Sequence, residues 1–189
     1  LALMVAAALL LRTVAQLRAL PSGFDTDRVA LLTVDTAAAS LTASQREAYL
    51  RDAAMRLAAV PGVEAVGLAR VIPVGFGGSR MTVVVPEYTP AADEDMELNY
   101  NLVGGDYFAA MGINLVDGRA FQPEDAGRAV AIINETMARR YWPDGQAVGR
   151  EMFAGSPDPV TIIGIARDAK YRMLREEPRP SFYVPLTPD

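Results

Sequence analysis

The stretch from Ala129 to Pro143, AVAIINETMARRYWP, constrains the fold of this chain more than any other. Ala129 to Ile133 are small or β-branched apolar residues in an unbroken run, which reads as a buried strand. Asn134 then offers a side-chain oxygen to the free N–H groups of a starting helix, and Glu135 suits the positive end of that helix. Met137 and Tyr141 share one side, Ala138 and Trp142 lie beside them at the same spacing, and Arg139 and Arg140 face water. Pro143, Asp144 and Gly145 stop the helix. A strand running directly into a short amphipathic helix with the only Trp is a packing element, not a catalytic centre.

The 189 residues suffice for one mid-sized domain or two small intertwined ones, and at 51% hydrophobic they can fill a core. The 18 basic against 23 acidic residues leave a net charge of −5. That argues against a nucleic-acid partner, which needs a clustered basic face. Cys and His are both absent. Disulfide frameworks, Cys or His metal sites, and Ser-His or Cys-His nucleophile pairs are therefore excluded. The lack of Cys fits an oxidising compartment.

Leu1 to Leu11 (LALMVAAALLL) is uninterrupted apolar sequence, followed by Arg12, Gln16 and Arg18. So short a run cannot cross a bilayer, which takes ~20 residues. A signal peptide would show a charged start and a small-residue cleavage site, and neither is clear. One reading is a hydrophobic helix packed on the domain; the other is the end of a transmembrane helix. Leu and Ala with no polar side favour the second. Residues 1–20 are thus expected to be the end of a transmembrane or stalk helix, with Arg12 and Arg18 mildly against the positive-inside tendency.

Val29 to Asp35 (VALLTVD) reads as a strand. Thr42, with Gln45 three residues on, marks a capping box for a helix whose apolar face is Leu50, Ala53, Ala54, Leu57 and Ala58. Pro61 and Gly62 end it, and Val63 to Arg70 (VEAVGLAR) is the next strand, completing a β-α-β unit with parallel strands. A β-rich excursion follows. Arg80 to Pro86 and Glu97 to Val103 read as strands, Asp106 to Met111 as one or two helical turns, and Asp117-Gly118 as a turn. After the central stretch come a short strand within Val148 to Phe153, a buried strand at Val160 to Arg167, a charged turn or helix from Asp168 to Glu177, and a last strand at Ser181 to Leu186. Pro185 places that strand at an edge or an end.

Few residues suggest chemistry. Val74 to Ser79 (VGFGGS) lacks the Lys of a phosphate loop and the spacing of a dinucleotide fingerprint, so it reads as a turn. Asp93, Glu94, Asp95 and Glu97 could hold a hard cation but read better as a solvated loop. Glu124 with Asp125, and Glu176 with Glu177, could be posed as acid/base pairs, yet each sits in polar sequence and reads as surface. Asn134-Glu135-Thr136 matches a glycosylation sequon, though helix capping explains the Asn better. Tyr141 and Trp142 could stack on a ligand but suit a core. Arg139, Arg140, Lys170, Arg172 and Arg175 could form a basic edge, or simply a solvated face. No catalytic, cofactor-binding or metal-binding residue emerges, and no cofactor is expected.

AVAIINETMARRYWPDGQAVGREM, preceded by LVDGRAF and followed by VTIIGIARDAKYRMLREEPRPSFYVPL, resembles the MacB-like periplasmic core domain found in FtsX-like permease subunits of ABC transporters. The N-terminal ALLLRTVAQLRALPSGFDTDRVALLTVD resembles that domain's helix exit and first strand. The likeness covers nearly the whole chain and is strongest to the large duplicated orphan permeases. It implies an α+β, porter-like sandwich of two β-α-β units over residues 21–189, with a smaller inserted β-rich subdomain at roughly 74–121. Gly118, Arg119, Phe121, Asn134, Glu135, Trp142, Pro143, Gly149, Gly164, Asp168, Pro180, Tyr183 and Pro185 match the family pattern, as turns, caps and packing.

The resemblance also implies a non-enzymatic role on the periplasmic side of a bacterial inner membrane. There the domain transmits ATP-driven conformational change for export or extraction of a substrate. The implied partners are a second permease protomer or domain, a cytoplasmic ABC ATPase reached through the rest of the permease, a periplasmic adaptor or lipoprotein, and the membrane. Two alternatives stand beside it. A membrane-anchored periplasmic binding module for a peptide, lipid or small molecule would need an apolar pocket near Gly75 to Val85 or Glu97 to Val103. A hydrolase would need two carboxylates facing each other across a cleft.

Overall fold

The computed structural model describes residues 4, 12, 23–25, 27–35, 41–72, 78–170 and 177–186. Among them are helices α1 (Ala43–Ala58), α2 (Tyr107–Ala110) and α3 (Glu135–Tyr141). The strands are β1 (Gly67–Ala69), β2 (Ser79–Val84), β3 (Glu97–Gly105), β4 (Leu115–Gly118), β5 (Val130–Asn134), β6 (Glu151–Ala154), β7 (Pro159–Ala166) and β8 (Ser181–Pro185). All eight strands belong to one sheet.

Six of the strands close into a ring. β3 pairs β2, β2 pairs β6, β6 pairs β7, β7 pairs β5, β5 pairs β8, and β8 returns to β3. β1 hangs on β3 and β4 on β7. Side chains alternate across each strand, so every second residue points into the ring. One core cluster takes residues from all six ring strands, including Val83, Leu98, Ile133, Met152, Ile162 and Phe182. Met137 and Tyr141 of α3 join the same cluster. The alternate residues Val103, Ile132 and Tyr183 point outward, where Tyr107, Phe108 and Met111 at α2 cover them. Phe108 is the centre of that outer layer, edge-on to Tyr183 at 5.0 Å between ring centroids.

The sheet-rich α+β character expected from the sequence holds. Of the two expected β-α-β units, only the second is built among the described residues. β5 lies parallel to β7, with α3 and β6 in the crossover between them. The first unit requires correction. Val29 to Asp35 forms no strand, and Leu31, Leu32 and Val34 stand exposed, Leu32 at 69%. Strand propensity alone does not provide a neighbouring edge or an apolar surface to lie on. The strand expected over Val63 to Arg70 is only β1, antiparallel to β3 and not parallel to an earlier strand. α1 between them has the expected capping box, with Gln45 N–H on the Thr42 hydroxyl and Thr42 N–H on Gln45 Oε1 at 2.9 Å. Leu50, Ala53, Ala54 and Leu57 on its apolar face are half-buried, and Ala58 is exposed.

The described part of residues 74–121 shares the sheet with the second half of the chain, since β2 pairs β6 and β4 pairs β7. Of the two places offered to Pro185, the structure selects the end. β8 has neighbours on both sides, and Pro185 is its last residue, opposite Val103. Positions 1–20 apart from 4 and 12, and the segment 171–176, lie outside the described residues. No helix among the described residues is long and apolar enough to cross a membrane.

Where β4 meets β7, Gly118 faces Gly164. Gly118 has φ +70°, and a Cβ there would sit 2.3 Å from the carbonyl oxygen of Ile163. A Cβ on Gly164 would sit 2.6 Å from the carbonyl oxygen of Arg119. Backbone cannot yield as a flexible side chain can, so both positions require glycine. Gly164→Ala is expected to destabilise the chain by about 2 kcal/mol through overpacking. Gly127→Ala, at φ +76° with open space around it, should cost only about 1 kcal/mol of backbone strain. Urea unfolding midpoints measure both, and equal losses would contradict the tight crossing.

Candidate functional site

Three of the residues that match the family pattern, Asn134, Glu135 and Asp168, meet at the junction of β5 and α3. Asn134 ends β5 and caps α3, so one side chain can serve both elements. Its Oδ1 accepts from Met137 N–H at 2.9 Å and from Ser181 N–H at 3.0 Å. Its Nδ2 donates to Asp168 Oδ1 at 2.7 Å and to the Arg179 carbonyl at 2.9 Å. Asp168, two residues beyond β7, accepts in addition from Thr136 N–H, the Thr136 hydroxyl and Arg139 Nη2, at 2.8 to 3.0 Å. Asp168 N–H donates to Glu135 Oε2 at 3.2 Å. The ends of β5 and β7, the first turn of α3 and the start of β8 are thereby bound at one point. The capping role read for Asn134 is present, and its amide is engaged and buried, closed to glycosylation in the folded chain.

The chain arriving from residues 1–20 reaches this junction. A Cβ at Gly23, which has φ +81°, would lie 2.4 Å from the carbonyl oxygen of Asp168 and 2.6 Å from Ala169 Cα. Such close backbone contact is open only to glycine. Next along the chain, Asp25 N–H donates to the Met111 carbonyl at 2.9 Å, anchoring the segment to the end of α2.

At the other end of α3, Tyr141 and Trp142 are buried, as the packing reading expects. Ala138, Trp142, Pro143, Ala147 and Ile165 line a shallow groove of about 200 Å³. Its lining includes no described residue of Gly75 to Val85 or Glu97 to Val103, where a binding module would need its pocket; residues 73–77 lie outside the described set.

Most candidate charges have partners. Arg80 pairs with Asp95 and with Glu97, and Arg140 pairs with Glu94. The loop read as solvated is thus partly tied down, with the Glu94 side chain only 7% exposed. Among the described residues no group of three or more His, Cys, Asp or Glu could hold a metal ion. Arg139 and Arg140 are engaged as described, and Arg172 and Arg175 lie outside the described residues.

Asp125 was read as surface and is not. Its side chain is 2% exposed and takes both Arg119 Nη atoms, at 2.6 and 3.0 Å, while Gln122 N–H donates to it at 2.9 Å. The Arg119 guanidinium, reinforced by that N–H, holds the Asp125 carboxyl below its ordinary 3.8. Glu176 lies outside the described residues, so its pairing with exposed Glu177 is not defined. A signal for Asp125 was present: Gln122-Pro123-Glu124-Asp125 has the spacing of a turn in which the fourth side chain reaches back to the first N–H.

The chain belongs to the family of MacB-like periplasmic core domains, whose model matches residues 2–188. Over 65 residues it is 35% identical to the macrolide export ATP-binding/permease protein MacB of Chromobacterium violaceum. Over 95 residues it is 30% identical to the protein of that name from Escherichia coli K12. These matches take in 33% and 44% of this chain, but only 10% and 15% of the two relatives, so the chain corresponds to a small part of each. Among solved structures it is similar to the extracellular domain of the noncanonic ABC-type transporter YknZ from Gram-positive bacteria, at 24% identity and TM-score 0.47, covering 71% of this chain and 60% of that one. It is also similar to the periplasmic region of MacB from Actinobacillus actinomycetemcomitans, at 18% identity and TM-score 0.48, covering 71% and 54%.

Asn134→Ala leaves two N–H groups and the Asp168 carboxylate short of a partner, and is expected to cost about 3 kcal/mol. Guanidinium unfolding would measure it, and a loss no larger than that of an exposed Asn→Ala change would contradict the junction's role. A second expectation concerns acid. Because Asp125 binds its proton less readily folded than unfolded, its contribution is complete above the unfolded pKa and is lost as pH falls through the lower folded value. Asp125→Asn should therefore flatten the fall in stability below pH 3.8 while lowering stability at pH 7. Parallel stability–pH curves for the two proteins would refute this.

Proposed function

We propose that this chain is the extracytoplasmic module of an ABC-type permease subunit, transmitting ATP-driven motion across a bacterial inner membrane. Residues 1–20 would be the end of a transmembrane or stalk helix, and residues 21–189 the core domain. The observation that carries the reading is the docking of Gly23 and Asp25 onto Asp168 and Met111, because it fastens the segment following the stalk to a body whose strands are mutually paired. A displacement entering at Gly23 meets the residue that locks α3, so the ring moves as one piece. Work is done only if the two arrangements differ in contact energy, which calls for a second permease protomer or domain, or a periplasmic adaptor or lipoprotein, at its surface.

The names of the relatives from Chromobacterium and Escherichia join export, ATP binding and a permease in one protein, and we extend that class of role to this chain: export or extraction of a substrate with a cytoplasmic ATPase as motor. The role assigned to the chain itself is mechanical and not enzymatic. These 189 residues contain no Cys, so thiols introduced at Arg12 to Leu20, in a full-length dimer cleared of any Cys elsewhere, report on the stalk alone. Cross-linking yields should differ with and without ATP, and Gly23→Leu should reduce that difference at unchanged ATP hydrolysis. Identical yields in both nucleotide states would refute the coupling.

A further inference from the structure

β2 and β3 form an antiparallel hairpin, yet the connection between them runs from Val85 to Met96. Hairpin loops ordinarily take about 2–5 residues, and longer loops in compact domains tend to be functional. This loop folds back over the C-terminal half of α3. The Tyr88 ring lies edge-on to the Tyr141 ring at 4.8 Å, and Tyr141 Oη contacts Met96 Sδ at 3.8 Å. Glu94 fastens the loop. It accepts from the Tyr88 hydroxyl at 2.8 and 2.9 Å and from Ala91 N–H at 3.1 Å, and pairs with Arg140 at 2.7 Å. At the loop's start stands Glu87 with φ +68°, the one non-glycine residue in left-handed backbone among the described residues. That conformation is strained for a residue with a Cβ, and strain of this kind persists only where the surroundings impose it.

We propose that residues 85–96 are a strap that closes over α3 and, starting at Glu87, loosens and comes away when the Glu94–Arg140 contact is broken. Closed, the strap hides Tyr141 and Met96 and neutralises Arg140. Opening relaxes Glu87 and presents that aromatic and cationic face of α3. The titratable and charged groups facing Glu94 are Tyr88 of the strap and Arg140 and Tyr141 of α3. The Tyr88 hydroxyl first, then Ala91 N–H and Arg140, hold its carboxyl below the ordinary 4.5. The clasp is therefore complete above that value and is lost as pH falls through the lower folded pKa. The inference is independent of whether the chain transmits motion.

Hydrogen exchange at the amides of Tyr88, Ala91 and Glu94, which are hydrogen-bonded in the closed strap, tests it. In Glu94→Ala the amides of residues 88 and 94, whose carbonyl acceptors the substitution keeps, should exchange about tenfold faster or more, as loss of a charged hydrogen bond implies, with β5 and β7 unchanged. Glu87→Gly removes the strain and should slow the same amides about fivefold, an arm that survives if the first variant folds poorly. Unchanged strap exchange in Glu94→Ala would overturn the proposal. So would an equal rise in the strap and in β5 and β7, or no slowing in Glu87→Gly.

Discussion

The hydrogen-bonding capacity of Asn134 is filled, two bonds received and two given, and the rest of the structure leans on that saturation. A buried amide with an unmet donor or acceptor would oppose folding; a fully met one fixes direction as well as position. Of the four partners of Asn134, Met137 lies in the next helical turn, and Asp168 and the Arg179–Ser181 segment lie far along the sequence. The Asn134 side chain therefore fixes the exit of β5, the axis of α3 and the entry of β8 at once. Asp168 extends the same network to the end of β7 and, through its backbone, to Gly23.

The parts of this fold that were legible in the sequence are those set by local chemistry. The run Ala129 to Ile133 followed by Asn134 specifies a strand and a capped helix without reference to anything else, and both stand where expected. Thr42 with Gln45 did the same for α1. The failures are equally physical. Val29 to Asp35 has strand-forming residues, but pairing is decided by another segment's free edge, which a local pattern cannot report. Asp125 sits in polar sequence and yet is buried, because its cost of burial is met by Arg119, six positions earlier on the far side of a turn. The ring itself was invisible, since it depends on β3 finding β8 across the four strands that lie between them in sequence.

Two kinds of segment divide the molecule. The ring is joined by backbone pairing on both sides of every ring strand, and α3 is fixed to it through Asn134, Asp168 and the core. The 85–96 loop is held largely by side chains, chiefly Glu94 and two tyrosine rings. Side-chain contacts can be exchanged one at a time, whereas paired strands must yield together. The sheet is thus suited to carry displacement without deforming, and the acidic loop to change its surface without disturbing the sheet.

The parallel pairing of Asn99 with Ser181 has a consequence for how such a chain is made. Ring closure awaits β8, so a growing polypeptide holds β3 with one edge unmatched until Ser181 to Pro185 have followed. Pairings between sequence-distant strands form slowly. During that interval an open edge beside apolar residues is a template for the wrong neighbour. Biogenesis, more than equilibrium stability, is then the stage at which a chain of this architecture is most exposed to chaperones, proteases and self-association.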